Sequence, residues 1–213
     1  MPSSQISPNI ARPVWAAFRR RCHQFLAIGY QNALIHIKND PDEETDITGY
    51  ICHALEKWFR ANPKESFLFF IKEDPPISYQ GRTGKRRPRT DIVMSYAAGT
   101  RPEFFFEAKR LHRTKALSSR YMGNAGMGCF IGGRYSNQSG EAAMVGYVQT
   151  DTMEYWQKEV MAKVQLNKVS LNVDCIEEQI NFANSFPLEW SSLHRRAGLA
   201  PINLFHILLD CRR

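Results

Sequence analysis

The 213-residue sequence has no apolar run long enough to span a bilayer, which argues against a membrane-spanning helix. Its first residues, Met1-Pro2-Ser3-Ser4-Gln5, carry neither a basic leader nor an apolar stretch of signal-peptide length, so export is not expected. The five cysteines, Cys22, Cys52, Cys129, Cys175 and Cys211, are odd in number, scattered, and form no CxxC pair. They predict reduced thiols packed as small hydrophobes in a cytoplasmic protein, and zinc is not expected. His23 and His53 lack partners at metal-ligand spacing. Gly123-Asn124-Ala125-Gly126-Met127-Gly128 lacks the lysine and serine of a phosphate-cradling loop and reads as a turn. No internal repeat or low-complexity tract breaks the chain.

What is present is a substantial apolar fraction and an excess of positive charge. At 43% hydrophobic residues, a chain of this length can bury one core, so residues 1–213 are read as a single domain. The net charge of +7 favours an anionic partner, nucleic acid or an acidic membrane surface, and charge alone does not separate the two. The densest positive charge lies in Gln80-Gly81-Arg82-Thr83-Gly84-Lys85-Arg86-Arg87-Pro88-Arg89, where glycines and proline argue for a loop. Arg82, Lys85, Arg86, Arg87 and Arg89 are expected to neutralise phosphates there, giving salt-dependent, largely sequence-independent affinity. Arg110, Arg113, Lys115 and Arg120 continue the basic character, Arg110 and Arg113 as further expected contacts to nucleic-acid phosphate, and Arg19-Arg20-Arg21 reads as a solvated face.

The chain is organised around Thr90-Asp91-Ile92-Val93-Met94-Ser95-Tyr96 and Glu103-Phe104-Phe105-Phe106-Glu107-Ala108-Lys109. Both are rich in β-branched or aromatic residues and are separated by turn chemistry, which predicts an antiparallel hairpin centred near Gly99. In a symmetric register Asp91 lies opposite Glu107, while Glu107 and Lys109 share one face and Ala108 points to the other. Two carboxylates held together repel unless a divalent cation sits between them. An oxygen-only ligand set suits Mg²⁺ or Mn²⁺, and a lysine beside it can orient water or stabilise charge developing on phosphate. The implied chemistry is metal-assisted phosphodiester hydrolysis.

Asp91 followed by Glu107-Ala108-Lys109 on the next strand resembles the PD-(D/E)xK signature of the restriction-endonuclease-like nuclease superfamily, with Thr90 where the signature has proline. The resemblance implies an α/β fold with a central mixed β-sheet, an antiparallel meander and flanking helices. It implies metal ligation by Asp91, Glu107 and the Ala108 carbonyl, with Lys109 as water-orienting base or charge stabiliser. It further implies an acid on the first core helix. Glu44, three and seven residues before Ile47 and Ile51 on the inward stripe, is the candidate for that role and Asp46 the runner-up, while Glu43 and Asp46 suit the helix dipole.

In chain order, a helix is expected from Pro13 to about His36, whole or divided at Gly29. A second follows the acidic start at Glu43, with Ile47, Ile51, Leu55 and Trp58 at helical spacing. Ser66-Phe67-Leu68-Phe69-Phe70-Ile71 reads as the first strand of a meander, and the segment near Ala116–Met122 as helical. Cys129-Phe130-Ile131 reads as a short helix or strand, and Ala142–Val148 as a core strand with Tyr147 packed inside and Gln149 near substrate. A helix over Thr152–Val164 is capped by Asp151 or Thr152, and Ile202–Asp210 forms a late strand closing the sheet. The core then covers about residues 43–165, in the α-β-β-β-α-β order of the resembled fold, with the N-terminal helix and C-terminal strand packed on it.

The expected function is a Mg²⁺- or Mn²⁺-dependent endonuclease acting on DNA more readily than RNA. By family analogy its setting would be prokaryotic, antiviral defence, including restriction. Cutting both strands of a duplex would most simply use two copies related by a two-fold axis, so a homodimer or a subunit of a larger complex is expected. The alternatives are a non-catalytic nucleic-acid-binding module and a partner-activated subunit of a larger complex.

Overall fold

The protein is described here by a computed structural model covering residues 12–38, 42–77, 87–97, 101–135, 140–178, 180 and 185–212. The first helix, α1 (Arg12–Ala33), is continuous through Gly29. The reason is a close approach: a Cβ at Gly29 would lie 2.9 Å from the carbonyl of Ile51 on α2 (Glu44–Ala61). Glycine's weak helix propensity is the smaller effect beside two helices that could not touch with a larger residue there.

Helix α2 starts at an acidic cap. The Asp46 carboxylate accepts the Glu43 backbone N–H at 2.8 Å, and the side chain of Glu43 completes a capping box. Ile47, Ile51, Cys52, Leu55 and Phe59 are buried beneath α1. The run expected as a strand from Ser66 begins instead with a helical turn, α3 (Pro63–Ser66), because Pro63 occupies the first helical position. Phe67 is left 81% exposed, and strand β1 (Phe69–Glu73) starts two residues later.

Strand β2 (Ile92–Tyr96) pairs antiparallel with β1 and with β3 (Glu103–Leu111). The β2–β3 register sets Ile92 against Phe106 and Ser95 against Glu103, the symmetric register that the composition predicts. Two short helices, α4 (Leu117–Arg120) and α5 (Met127–Ile131), lead to β4 (Glu141–Val148), which runs parallel to β3. Helix α6 (Met153–Leu166) follows, its cap being Thr152, whose hydroxyl accepts the Tyr155 N–H. Three more strands complete the chain: β5 (Val173–Glu177), β6 (Glu189–Arg196) and β7 (Leu199–Asp210).

The result is an α/β fold with one open, mixed, seven-stranded sheet in the order β1-β2-β3-β4-β7-β6-β5. Strand β7 does not close the sheet. It lies between β4 and β6, and the antiparallel β5 and β6 extend the sheet beyond it. Alternation along the central strands divides the core in two. Ala143, Val145 and Tyr147 of β4, with Phe205, Ile207 and Leu209 of β7, pack under α1 and α2. Ala142, Met144 and Val148, with Leu204 and Leu208, pack on the other side with α5 and α6. Among the described residues no helix is long and apolar enough to cross a membrane.

Candidate active site around Lys109

Asp91 immediately precedes β2, and its placement is fixed from two sides. Its carboxylate accepts the backbone N–H of Ala108 at 2.6 Å, and its carbonyl accepts the N–H of Asp74 at 2.9 Å. The preceding residue, Thr90, is buried and donates its hydroxyl to the Phe106 carbonyl at 2.9 Å. A proline here, as in the resembled signature, has no hydroxyl with which to make this tie.

Strand alternation buries Ala108 in the core under α1 and α2 and sends Glu107 and Lys109 to the opposite face. The Lys109 ammonium lies 2.8 Å from Glu107 Oε1, 2.9 Å from Glu44 Oε1 and 3.8 Å from Asp91 Oδ2, and it donates to the Ala108 carbonyl. The structure therefore gathers Asp91, Glu107, Ala108 and Glu44 around one cation. Asp46 is not brought in, because its carboxylate caps α2.

Glu44 arrives there because the start of α2 is anchored to the strands. Its second oxygen accepts the Arg110 N–H at 3.2 Å. Gln149, expected near substrate, is instead buried, accepting from Arg110 Nε and donating to the Asp42 carbonyl at 2.9 Å. Inside the core, Thr48 of α2 and the Tyr147 hydroxyl of β4 are 2.9 Å apart. These contacts join residues distant in sequence, and no local pattern announces them.

Burial dominates the electrostatics. It pushes the Asp91 carboxyl up to about 6, despite the opposing effects of Lys109 and the Ala108 amide. Burial, reinforced by the Asp91 charge, pushes Glu107 up to about 8. Burial also works against the Lys109 charge, but Glu107, Asp91 and Glu44 together outweigh it and hold the ammonium protonated. Glu107 Oε2 is buried with no hydrogen-bond partner. An unpaired carboxylate oxygen in such a place is costly unless a proton or a cation meets it.

The basic residues divide. Arg82, Lys85 and Arg86 lie outside the described residues. Arg87 is half-buried with no hydrogen-bond partner for its Nε, and Arg89 pairs with Asp74 at 2.7 Å on the surface. Arg113 is exposed and pairs with Asp151. Arg110, expected to touch phosphate, is only 7% exposed and directs its guanidinium to Gln149 and to Glu43 at 2.8 Å. A buried guanidinium stripped of such partners would cost about 3–5 kcal/mol, which is why it points inward. Tyr135 was not singled out by its sequence context, yet its buried hydroxyl donates to the Arg89 carbonyl and tethers the segment leading into Asp91.

Comparison with protein-family models, curated proteins and solved structures returns no match for this chain. Among the described residues, no three His, Cys, Asp or Glu side chains are gathered closely enough to hold a metal ion. The residues nevertheless fit a hard divalent cation by donor chemistry: carboxylate and carbonyl oxygens only, one of them a buried orphan.

Proposed function

We propose that this chain is a metal-dependent nuclease with a restriction-endonuclease-like core, hydrolysing phosphodiester bonds of DNA. The observation that carries the reading is the convergence of Asp91, Glu107, the Ala108 carbonyl and Glu44 on the Lys109 ammonium, with Glu107 Oε2 left unpartnered. The order α2, β1, β2, β3, β4, with an antiparallel meander followed by a parallel strand, supports the fold assignment.

Asp91, Glu107, Ala108 and Glu44 would hold Mg²⁺ or Mn²⁺. A bound divalent ion supplies Lewis-acid stabilisation of charge developing on the scissile phosphate. Lys109 orients the attacking water by donating a hydrogen bond to it, and attack at phosphorus yields a 5′-phosphate and a 3′-hydroxyl. Asp91 is held in place by the Ala108 N–H, so its carboxylate would meet the ion already oriented. Arg87 and Arg89, on the described end of the basic segment, adjoin Asp91 in sequence and are suited to the phosphate backbone. A role in prokaryotic defence is part of the same proposal and rests on family analogy.

A second reading, a non-catalytic nucleic-acid-binding module or a subunit awaiting a partner, is favoured by the absence of a closed three-residue metal cage among the described residues. The test is incubation of purified protein with plasmid, linear duplex and single-stranded DNA, with Mg²⁺, Mn²⁺ or chelator, beside Lys109→Ala. Metal-dependent cleavage lost in the variant supports the nuclease. Binding without cleavage, unchanged by chelator, supports the second reading.

A further inference from the structure

Lys109 stands where a metal-liganding cluster would need its ion. Its ammonium lies 3.8 Å from Asp91, hydrogen-bonds the Ala108 carbonyl, and contacts Glu107 and Glu44 at 2.8 and 2.9 Å. Those are ordinary ammonium–oxygen distances, whereas Mg²⁺ holds oxygen ligands at about 2.1 Å. The two arrangements exclude each other. A small ion cannot contract the same oxygens around itself while the ammonium fills the space between them.

Resting on the metal-dependent reading above, we propose that Lys109 is a built-in competitor cation. Its ammonium holds the ligand oxygens apart in the metal-free protein and must leave their midst before a divalent ion can enter. The lysine is then both the threshold for metal loading and the group released to work on substrate. A monovalent ion offers no more charge than the ammonium and has no electrostatic advantage in displacing it, whereas a divalent ion does. Lys109 thereby becomes a determinant of cation selectivity. Arg110 does not share the role, since its guanidinium is directed to Gln149 and Glu43.

The first measurement is Mn²⁺ binding to full-length wild-type and Lys109→Met protein by isothermal titration calorimetry, at one pH and ionic strength. Removing a unit charge from the midst of the ligands is expected to tighten Mn²⁺ binding by about tenfold or more, although the same change abolishes cleavage. The second needs no variant. In wild-type protein labelled with ¹⁵N at lysine Nζ, the Lys109 ammonium resonance, protected in the metal-free state, is expected to shift or exchange away on saturation with Mg²⁺ but not with Na⁺. If wild type binds Mn²⁺ and Lys109→Met binds it no tighter, or if Mg²⁺ leaves the Nζ resonance unchanged, the competitor role is overturned and the nuclease reading stands. If wild type binds neither ion, both fall.

Discussion

The hydroxyl of Thr90 donates to the carbonyl of Phe106 at 2.9 Å, and these residues directly precede the two acids, Asp91 and Glu107. This side-chain hydrogen bond ties the residue before one acid to the residue before the other, adding to the strand ladder and to the Ala108 N–H bond that position Asp91. Thr90→Val keeps the shape and removes the donor. It is expected to lower stability by about 1–3 kcal/mol, since a buried partner loses its bond, and to reduce cleavage more than DNA binding. Urea unfolding beside kcat and KM measurements checks both; an unchanged kcat would remove Thr90 from any positioning role.

The acids predict an unusual pH dependence. Glu107 is raised from 4.5 to about 8 and Asp91 from 3.8 to about 6, so across these windows the folded protein retains protons that the unfolded chain has lost. Stability of the metal-free protein should fall as pH rises from about 6.5 to 8; below that range the buried His206 and His194, whose pKa values are lowered by burial, work in the opposite direction. Glu107→Gln should flatten the upper part of that decline, and Mn²⁺ at pH 8 should reverse it. Melting temperatures across the range are the measurement. A rise in melting temperature between about pH 6.5 and 8 would contradict the buried-acid picture.

Glu44 reaches the site from α2 and bonds both Lys109 and the Arg110 N–H. Glu44→Gln keeps the volume and removes the charge. It should weaken Mg²⁺ affinity or cleavage by about 10–100-fold, with α2 intact by circular dichroism. A fully active variant would reduce Glu44 to a structural partner of Lys109.

At the helix crossing, Gly29→Ala would bring a Cβ to 2.9 Å from the Ile51 carbonyl and 3.2 Å from Leu55 Cβ. Overpacking of this kind costs about 1–3 kcal/mol, more than alanine's helix propensity returns. The melting temperature should drop. A rise would mean that α1 and α2 separate easily.

The hairpin was legible because its determinants are local: alternating β-formers on either side of a turn set Ile92 opposite Phe106 and so bring the adjoining Asp91 to the Glu107–Ala108 end of β3 before any distant contact forms. The helices α2 and α6 were legible for the same reason, with periodic apolar faces and acidic or Thr152 caps. Strand β1 starts later than Ser66 because Pro63 begins a helical turn, Pro63–Ser66, that ends just before the apolar run. Strands β5 and β6 carried no clear local pattern. The β6 segment Glu189–Arg196 buries Ser191, Ser192 and His194, polar residues whose burial is tolerated only through tertiary partners: Ser192 lies 2.8 Å from His206 Nε2.

By itself, then, the sequence determined the meander, the caps and the pairing of the two acids with Lys109 along neighbouring strands, because side-chain alternation and turn chemistry act over a few residues. Only the tertiary structure decided that Glu44 joins them, that Arg110 turns inward to Gln149, and that the sheet continues past β7. Those outcomes depend on which groups meet across long stretches of chain and whether a buried charge finds its partner, and neither is written in local pattern.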